Sequence, residues 1–223
     1  MAHALASVRT FRATFTERMY DVGVRPGDMI NPATNGSSAS SFAFIRGNKP
    51  SLWRSDDITT GWEGSKRPSL TEYVGDPPSA CMRATRTRTW YCAVPTDMGQ
   101  ILVADPHPEM LLITIHPKQA FGPTVRFVQG SDGRVGGQDA IPYRYDYIFP
   151  AGPTHIQGTF WIARRTALPL MLEDTASVPR WSNVPGNIDT KRLVWSAWNS
   201  PSIHIPTMPR RPRHAYVWSG PSD

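Results

Sequence analysis

Asp105, His107 and Glu109 stand at alternate positions, so an extended backbone would project all three from one face. Two carboxylates and an imidazole set out in this way could hold a divalent metal. Pro106 and Pro108 interleave them, however, and the same stretch reads equally as an exposed, rigid turn whose polar side chains need no ligand. Two further histidines have strand-like neighbours, His155 in Thr154–Gln157 and His204 in Ser202–Ile205. Histidines facing one another from adjacent strands can act as general acid and base. A hydroxyl two positions after each would support that chemistry, but Gln157 and Pro206 stand there, with Thr159 and Thr207 out of phase.

The glycine-rich stretch from Gly130 to Gly137 lacks the Lys-Ser/Thr pair and the following helix that a phosphate loop requires. Gly61-Trp62-Glu63-Gly64-Ser65-Lys66 has a Ser-Lys pair without strand-to-helix context. No Gly-x-Ser-x-Gly elbow and no His-Glu-x-x-His motif occurs. No residue of the sequence is expected to be catalytic, cofactor-binding or metal-binding, and no cofactor is expected.

Basic residues group at Arg83/Arg86/Arg88, at Arg164/Arg165 and at Arg210/Arg211/Arg213. In a strand Arg86, Arg88 and Trp90 project together, joining charge to a stacking surface as single-strand nucleic-acid binders do. They are the nucleic-acid candidates. Trp53, Trp62, Trp181, Trp195, Trp198 and Trp218 lie beside Pro, Gly or Ser, in loop-like context. Loop tryptophans give large contact area for little entropy and are enriched at interfaces. Trp53, Trp62, Trp181, Trp198 and Trp218, with Arg210, Arg211 and Arg213, are therefore the interface candidates.

The elements that would position these residues are strands. Twenty-two prolines run from Pro26 to Pro221 in 223 residues, and each breaks a helix interior at a cost of about 3 kcal/mol. Strand patterns cover Val8–Thr16, Ser41–Ile45, Thr85–Val94, Met110–His116, Thr124–Gln129, Tyr143–Phe149, His155–Ala163, Ala167–Leu172, Arg192–Trp198, Ser202–Ile205 and Ala215–Trp218. Asn31–Ser41 reads as a small-residue loop, and Asp189–Trp198 suits two helical turns or a strand. The expected fold is all-β: a single-domain antiparallel sandwich or jelly-roll-like barrel of about ten short strands, with long Pro-rich loops and little helix. One domain spans 1–223, and 199–223 forms a Pro/Arg-rich extension docked on a neighbour.

Composition narrows the classes further. The net charge of +6 comes from 20 Arg and 4 Lys, and Arg suits bidentate contacts at interfaces. Eight Trp, seven Tyr and eight Phe argue against disorder. No run of about 18 apolar residues exists, so neither a membrane span nor a membrane partner is expected. No apolar segment precedes Arg9, so a signal peptide is not expected either. Cys81 and Cys92 read as two reduced, half-buried thiols.

This Pro- and Trp-rich all-β texture, without an enzyme motif, resembles a coat or capsid-surface protein of a small RNA virus. The resemblance implies a non-enzymatic structural subunit of a virion, made in the host cytoplasm, self-associating as a homo-oligomer and resting on a separate capsid shell protein. Genome-packaging coats of this kind begin with a densely basic arm. Residues 1–20 carry only Arg9, Arg12 and Arg18 against Glu17, which points to an outer or accessory subunit. The alternatives are a nucleic-acid-binding β-barrel module using the Arg86/Arg88/Trp90 face, and a β-sandwich enzyme or carbohydrate-binding protein.

Overall fold

The computed structural model describes residues 2–30, 35–45, 52–60, 69–76, 79–84, 91–93, 125–148 and 153–205, with side chains described for 3–30, 35–41, 43–45, 81, 125–148 and 153–205. Among the described residues a single helix, α1 (Ala2–Ala6), precedes twelve strands. These are β1 (Thr10–Val22), β2 (Gly36–Ile45), β3 (Leu52–Thr60), β4 (Ser69–Asp76), β5 (Ser79–Ala84) and β6 (Tyr91–Ala93), then β7 (Val128–Gln129), β8 (Gly133–Val135), β9 (Gln138–Ile148), β10 (His155–Ala163), β11 (Pro169–Val178) and β12 (Gly186–Ser196). The all-β, antiparallel expectation holds.

The strands form one sheet in the order β6-β5-β4-β3-β2-β1-β12-β11-β10-β9-β7, with β8 paired to β9. It is a meander in two halves, joined where β1 meets β12 from Arg12↔Ser196 to Val22↔Gly186. The alternation in β1 explains its place at the centre. Phe11, Ala13 and Phe15 are buried while Arg12, Thr14 and Thr16 are exposed, the period-2 pattern of a strand with one covered face.

Directly paired residues share a face of the sheet, so the register aligns Phe15, Leu193, Leu172 and Phe160 in one row across four strands. All four are buried in a cluster with Leu5, Val8, Phe11, Phe44, Tyr145 and Trp195. Phe11 stacks on Phe44 at 5.0 Å, and Phe160 meets Trp195 edge-on at 5.8 Å. Each such side chain contributes about 1.5–3 kcal/mol by leaving water. The single turn of α1 delivers Leu5 and Val8 to one end of this face. Trp198 packs beside them, 5.3 Å from Phe11, and donates its indole N–H to Pro169 O at 3.1 Å. On the opposite face Ala140, Ala163 and Leu170 form a smaller cluster with Val135 and Trp161.

Several segments differ from their sequence patterns. The stretch expected as the loop Asn31–Ser41 is strand from Gly36 onward, because it pairs with β1 from Met19↔Gly36 to Thr10↔Ile45; ladder pairing overrides the low strand preference of glycine and serine. Asp189–Trp198 resolves as strand, within β12. Ser202–Ile205 is not a strand, and of Thr124–Gln129, whose first residue lies outside the described residues, Val128–Gln129 is strand and 125–127 is not. Met110–His116 and Ala215–Trp218 lie outside the described residues.

The cysteines also require a correction. Cys81 is fully buried and disulfide-bonded, and the chain's other cysteine, Cys92, is its register partner on the neighbouring strand. Cross-strand pairing brings Cβ atoms to about 5 Å, close to what a disulfide needs. The expectation of reduced thiols had no view of that register.

Candidate interaction surface

The β1–β12 ladder ends at Val22↔Gly186, so the β1–β2 connection (23–35) and the β11–β12 connection (179–185) leave the sheet side by side. They lie at the end of the sheet opposite α1. Each carries a tight turn. Arg25-Pro26-Gly27-Asp28 closes with Asp28 N–H donating to Arg25 O at 3.1 Å, and Gly27 adopts φ +86. Proline first and a positive-φ glycine second is the requirement of a type II turn. In the second turn Trp181 and Val184 exchange both backbone hydrogen bonds, at 3.1 and 2.9 Å.

The two loops are tied together. Arg180 donates from Nη1 to Asp28 Oδ2 at 2.7 Å and from Nη2 to Asp28 Oδ1, a two-pronged ion pair. Nη1 also reaches Gly23 O at 2.9 Å, and Arg25 N–H donates to Asp28 Oδ2 at 2.7 Å. Met29 N–H donates to Asn183 O at 2.9 Å, linking the loop backbones directly. The Asp28 side chain is 3% exposed. The Arg180 hydrogen bond lowers its pKa to about 2, and the same bond raises that of Arg180.

Onto this tied unit the sequence places apolar side chains that face solvent. Trp181 is 77% exposed, Met29 65%, Ile30 53%, Val24 49% and Val184 48%. These five make up most of the large exposed hydrophobics among the described residues; Phe127, Val128 and Ile148 are the others. Scattered single apolar residues are ordinary on a surface, whereas a group confined to one end marks a contact site.

The core face carries a polar row between this end and the aromatic core. Register aligns Ser38, Glu17, Lys191, Asp174, Gly158 and Tyr145. Lys191 Nζ lies 3.3 Å from Glu17 Oε1 and 3.3 Å from Asp189 Oδ2, Ser38 Oγ donates to Glu17 at 3.3 Å, and Tyr145 donates to Asp174 at 3.2 Å. Burial, with Asp174 as second cause, pushes the Tyr145 hydroxyl far above its usual range, and burial raises Tyr147 as well. Burial thus keeps both phenols neutral, while the single ammonium of Lys191 faces two carboxylates and Asp189 Oδ1 is buried without a hydrogen-bond partner. Among the described residues no cluster of three His, Cys, Asp or Glu could hold a metal.

The opposite face bears two open, adjoining grooves of about 560 and 520 Å³ that share Glu173, Asp174 and Thr175. Arg126 and Arg144 line the first. Its carboxylates are engaged, Glu173 with Arg192 at 3.2 Å and Asp146 with His155 at 2.6 Å.

Of the residues singled out from sequence, Trp181 stands on the exposed end and Trp198 packs against the core. Trp53 falls on β3 opposite Phe44; its side chain lies outside the described residues. Also outside them are Trp62, Trp218, Arg86, Arg88, Trp90, Arg210, Arg211, Arg213, Asp105, His107 and Glu109. His155 belongs to β10, whereas His204 is exposed and follows the last strand. The stretch from Gly130 to Gly137 holds β8 and the turn into β9, with no helix after it. Val24, Met29, Ile30 and Val184 escaped the sequence reading because isolated apolar residues in a loop carry no periodic signal. The nearest available clue was the pair of turns, Pro26-Gly27 and Pro179 to Pro185, that hold them.

No protein family profile matches the chain, and no curated protein matches it in sequence. Among solved structures the chain is similar to the crystal structure of a DUF1329 family protein from Desulfovibrio piger, at 8% identity and a TM-score of 0.23, over 90% of each chain. None of these comparisons points to a virus particle, and the expectation of a virus-particle subunit is withdrawn. The resemblance had rested on prolines, tryptophans and missing motifs, and such texture reports an all-β chain with stiff loops whatever its source.

Proposed function

We propose that this chain is a non-enzymatic binding protein whose working surface is the apolar loop end. The observation that carries this reading is the joint exposure of Val24, Met29, Ile30, Trp181 and Val184 on two loops tied into one unit. Each of these side chains forgoes about 1.5–3 kcal/mol that full burial would give. A turn needs only Gly, Pro, Asn, Asp or Ser, so turn formation alone gives no reason for them. Loops already fixed by prolines and an ion pair lose little further entropy on docking. The disulfide supports an oxidising compartment over a reducing cytoplasm.

The test is native-state binding of a hydrophobic dye, anilinonaphthalene sulfonate, by wild type and by a Trp181→Ser/Met29→Ser variant. The expected result is saturable binding by wild type, lost in the variant, with the thermal midpoint within about 2 °C of wild type because surface groups contribute little to folding. A variant that unfolds well below wild type, together with no dye binding by wild type, means these side chains pack and the reading is wrong.

A further inference from the structure

We infer that the face of the sheet opposite the aromatic core carries a second site, a groove that takes a linear acidic polysaccharide. The groove follows from pleating. Side chains on one face recur at every second residue, so two neighbouring rows leave a channel running across the strands. Register builds one wall from Arg144, Thr159, Glu173, Arg192 and Thr16, and the other from Asp146, Gln157, Thr175, Thr190 and Arg18. Ala39 and Ser37 of β2 extend the two walls, and the adjoining grooves of about 560 and 520 Å³ lie between them. Strands β9 to β2, spaced at about 4.8 Å, give a channel about 24 Å long. It is open along its length, as a linear polymer requires.

The walls are polar throughout. The side chains of Thr16, Ser37, Gln157, Thr159 and Thr175 make no hydrogen bond among the described residues, so they remain open to a ligand. Hydroxyl and amide groups both donate and accept, which matches the alcohol groups of a sugar chain. Neither wall holds an aromatic ring; the Tyr145 ring, beside the first groove, is buried in the core. Single-stranded nucleic acid stacks its bases on such rings, and peptide side chains need pockets that an open channel lacks. A sugar chain needs neither.

Charge selects the acidic class. Arg18, Arg126, Arg144 and Arg192 reach the groove against the wall carboxylates of Asp146 and Glu173, an excess of two positive charges. Glu17, Asp174 and Lys191 lie along the floor, but their side chains stand on the core face, where Lys191 meets Glu17 and Tyr145 meets Asp174. Both wall carboxylates are taken, Glu173 by Arg192 at 3.2 Å and Asp146 by His155 at 2.6 Å. Arg126 and Arg144 are exposed and form no ion pair among the described residues. Both line the first groove, and guanidinium groups hold carboxylates by two parallel hydrogen bonds. The repeated carboxylates of a uronate chain match that pair, with its hydroxyls on the Thr and Gln side chains.

Native gel electrophoresis of the full chain through polygalacturonate and through neutral dextran tests this. The protein is expected to be retarded by polygalacturonate and to pass dextran freely. Arg126→Ala/Arg144→Ala is expected to weaken binding about tenfold or more, and the uncharged change Gln157→Ala/Thr159→Val about fivefold. The second variant keeps the net charge, so its effect separates a shaped site from general attraction between a basic chain and a polyanion. Should either variant fail to fold, the other carries the test. Trp181→Ser/Met29→Ser is expected to bind as wild type does, because the loop end is a separate surface. No retardation, or retardation that neither groove variant weakens, overturns the proposal. An effect of the arginine variant without one from folded Gln157→Ala/Thr159→Val means general polyanion attraction and overturns it too. Oligothymidylate bound more tightly than polygalacturonate puts nucleic acid in place of the sugar chain, and weakening by Trp181→Ser/Met29→Ser moves the ligand to the loop end; either result overturns the assignment.

Discussion

Arg180 grips Asp28 across 152 positions of sequence, two guanidinium nitrogens on two carboxylate oxygens. The pair joins the turn between β11 and β12 to the loop between β1 and β2, and through it the apolar tips are held as one surface. Bidentate geometry of this kind is particular to arginine. Replacing Arg180 with Ala removes the tie and leaves Asp28 without its counter-charge. The expected outcome is local: amide exchange at Arg25, Asp28 and Met29 accelerates about tenfold or more while the central ladder stays protected, since loops open well below the global unfolding energy. Unchanged exchange at those amides would mean the loops hold without the pair.

The same pair sets an acid limit. Asp28 has its pKa lowered to about 2 by the Arg180 hydrogen bond, against an ordinary value of about 4 for an unfolded aspartate. A depressed carboxyl contributes stability that is fully present above the unfolded value and is lost as pH falls through the folded one. The loop end should therefore stay tied at pH 3 and open near pH 2. Carbon-detected titration of the Asp28 carboxyl should show that midpoint, shifted back toward the ordinary range in Arg180→Ala. A wild-type midpoint near 4 would contradict the ion pair.

How much of this was legible in the sequence differs by level. The period-2 run at Phe11, Ala13 and Phe15 named a strand correctly, because burial of one face forces alternation. The prolines argued against long helices, and among the described residues the longest is Ala2–Ala6. What pattern alone could not supply was register. Cys81 and Cys92 became partners, and Gly36–Ser41 became strand, only through ladders between segments far apart in the chain or across a turn. Trp198 shows the limit of local context: Pro201 and Ser200 nearby suggested a loop contact, yet the ring fills a gap beside Phe11. Among the described tryptophans read by the same context, Trp181 is the one that stands free of the core.

Gly158 tests the register itself. It lies opposite Tyr145 on β9 and Asp174 on β11. A Cβ there would come within 2.6 Å of Glu173 O and 2.6 Å of the Tyr145 ring, so backbone on one side and a buried phenol on the other leave no space. Gly158→Ala is expected to destabilise the fold by about 1–3 kcal/mol, as overpacking does, and to break the Tyr145–Asp174 hydrogen bond at 3.2 Å. Urea unfolding measures the first. A neutral or stabilising result would require a different pairing of β9, β10 and β11.

The disulfide gives the last test, and it separates the two halves of the sheet. Cys81 on β5 and Cys92 on β6 close a short loop at one edge, and a cross-link of that length restricts the unfolded chain by about 3 kcal/mol. Cys81→Ser should lower stability by roughly that amount relative to the oxidised wild type. Reductant should bring wild type down to the level of the variant and leave the variant itself unmoved. The aromatic core around Phe11, Phe160 and Trp195 lies on β1, β10 and β12, away from that edge, so near-ultraviolet circular dichroism of the folded protein should change little. Equal stability of wild type with and without reductant would show that the thiols do not pair, and would remove the support for an oxidising compartment with it.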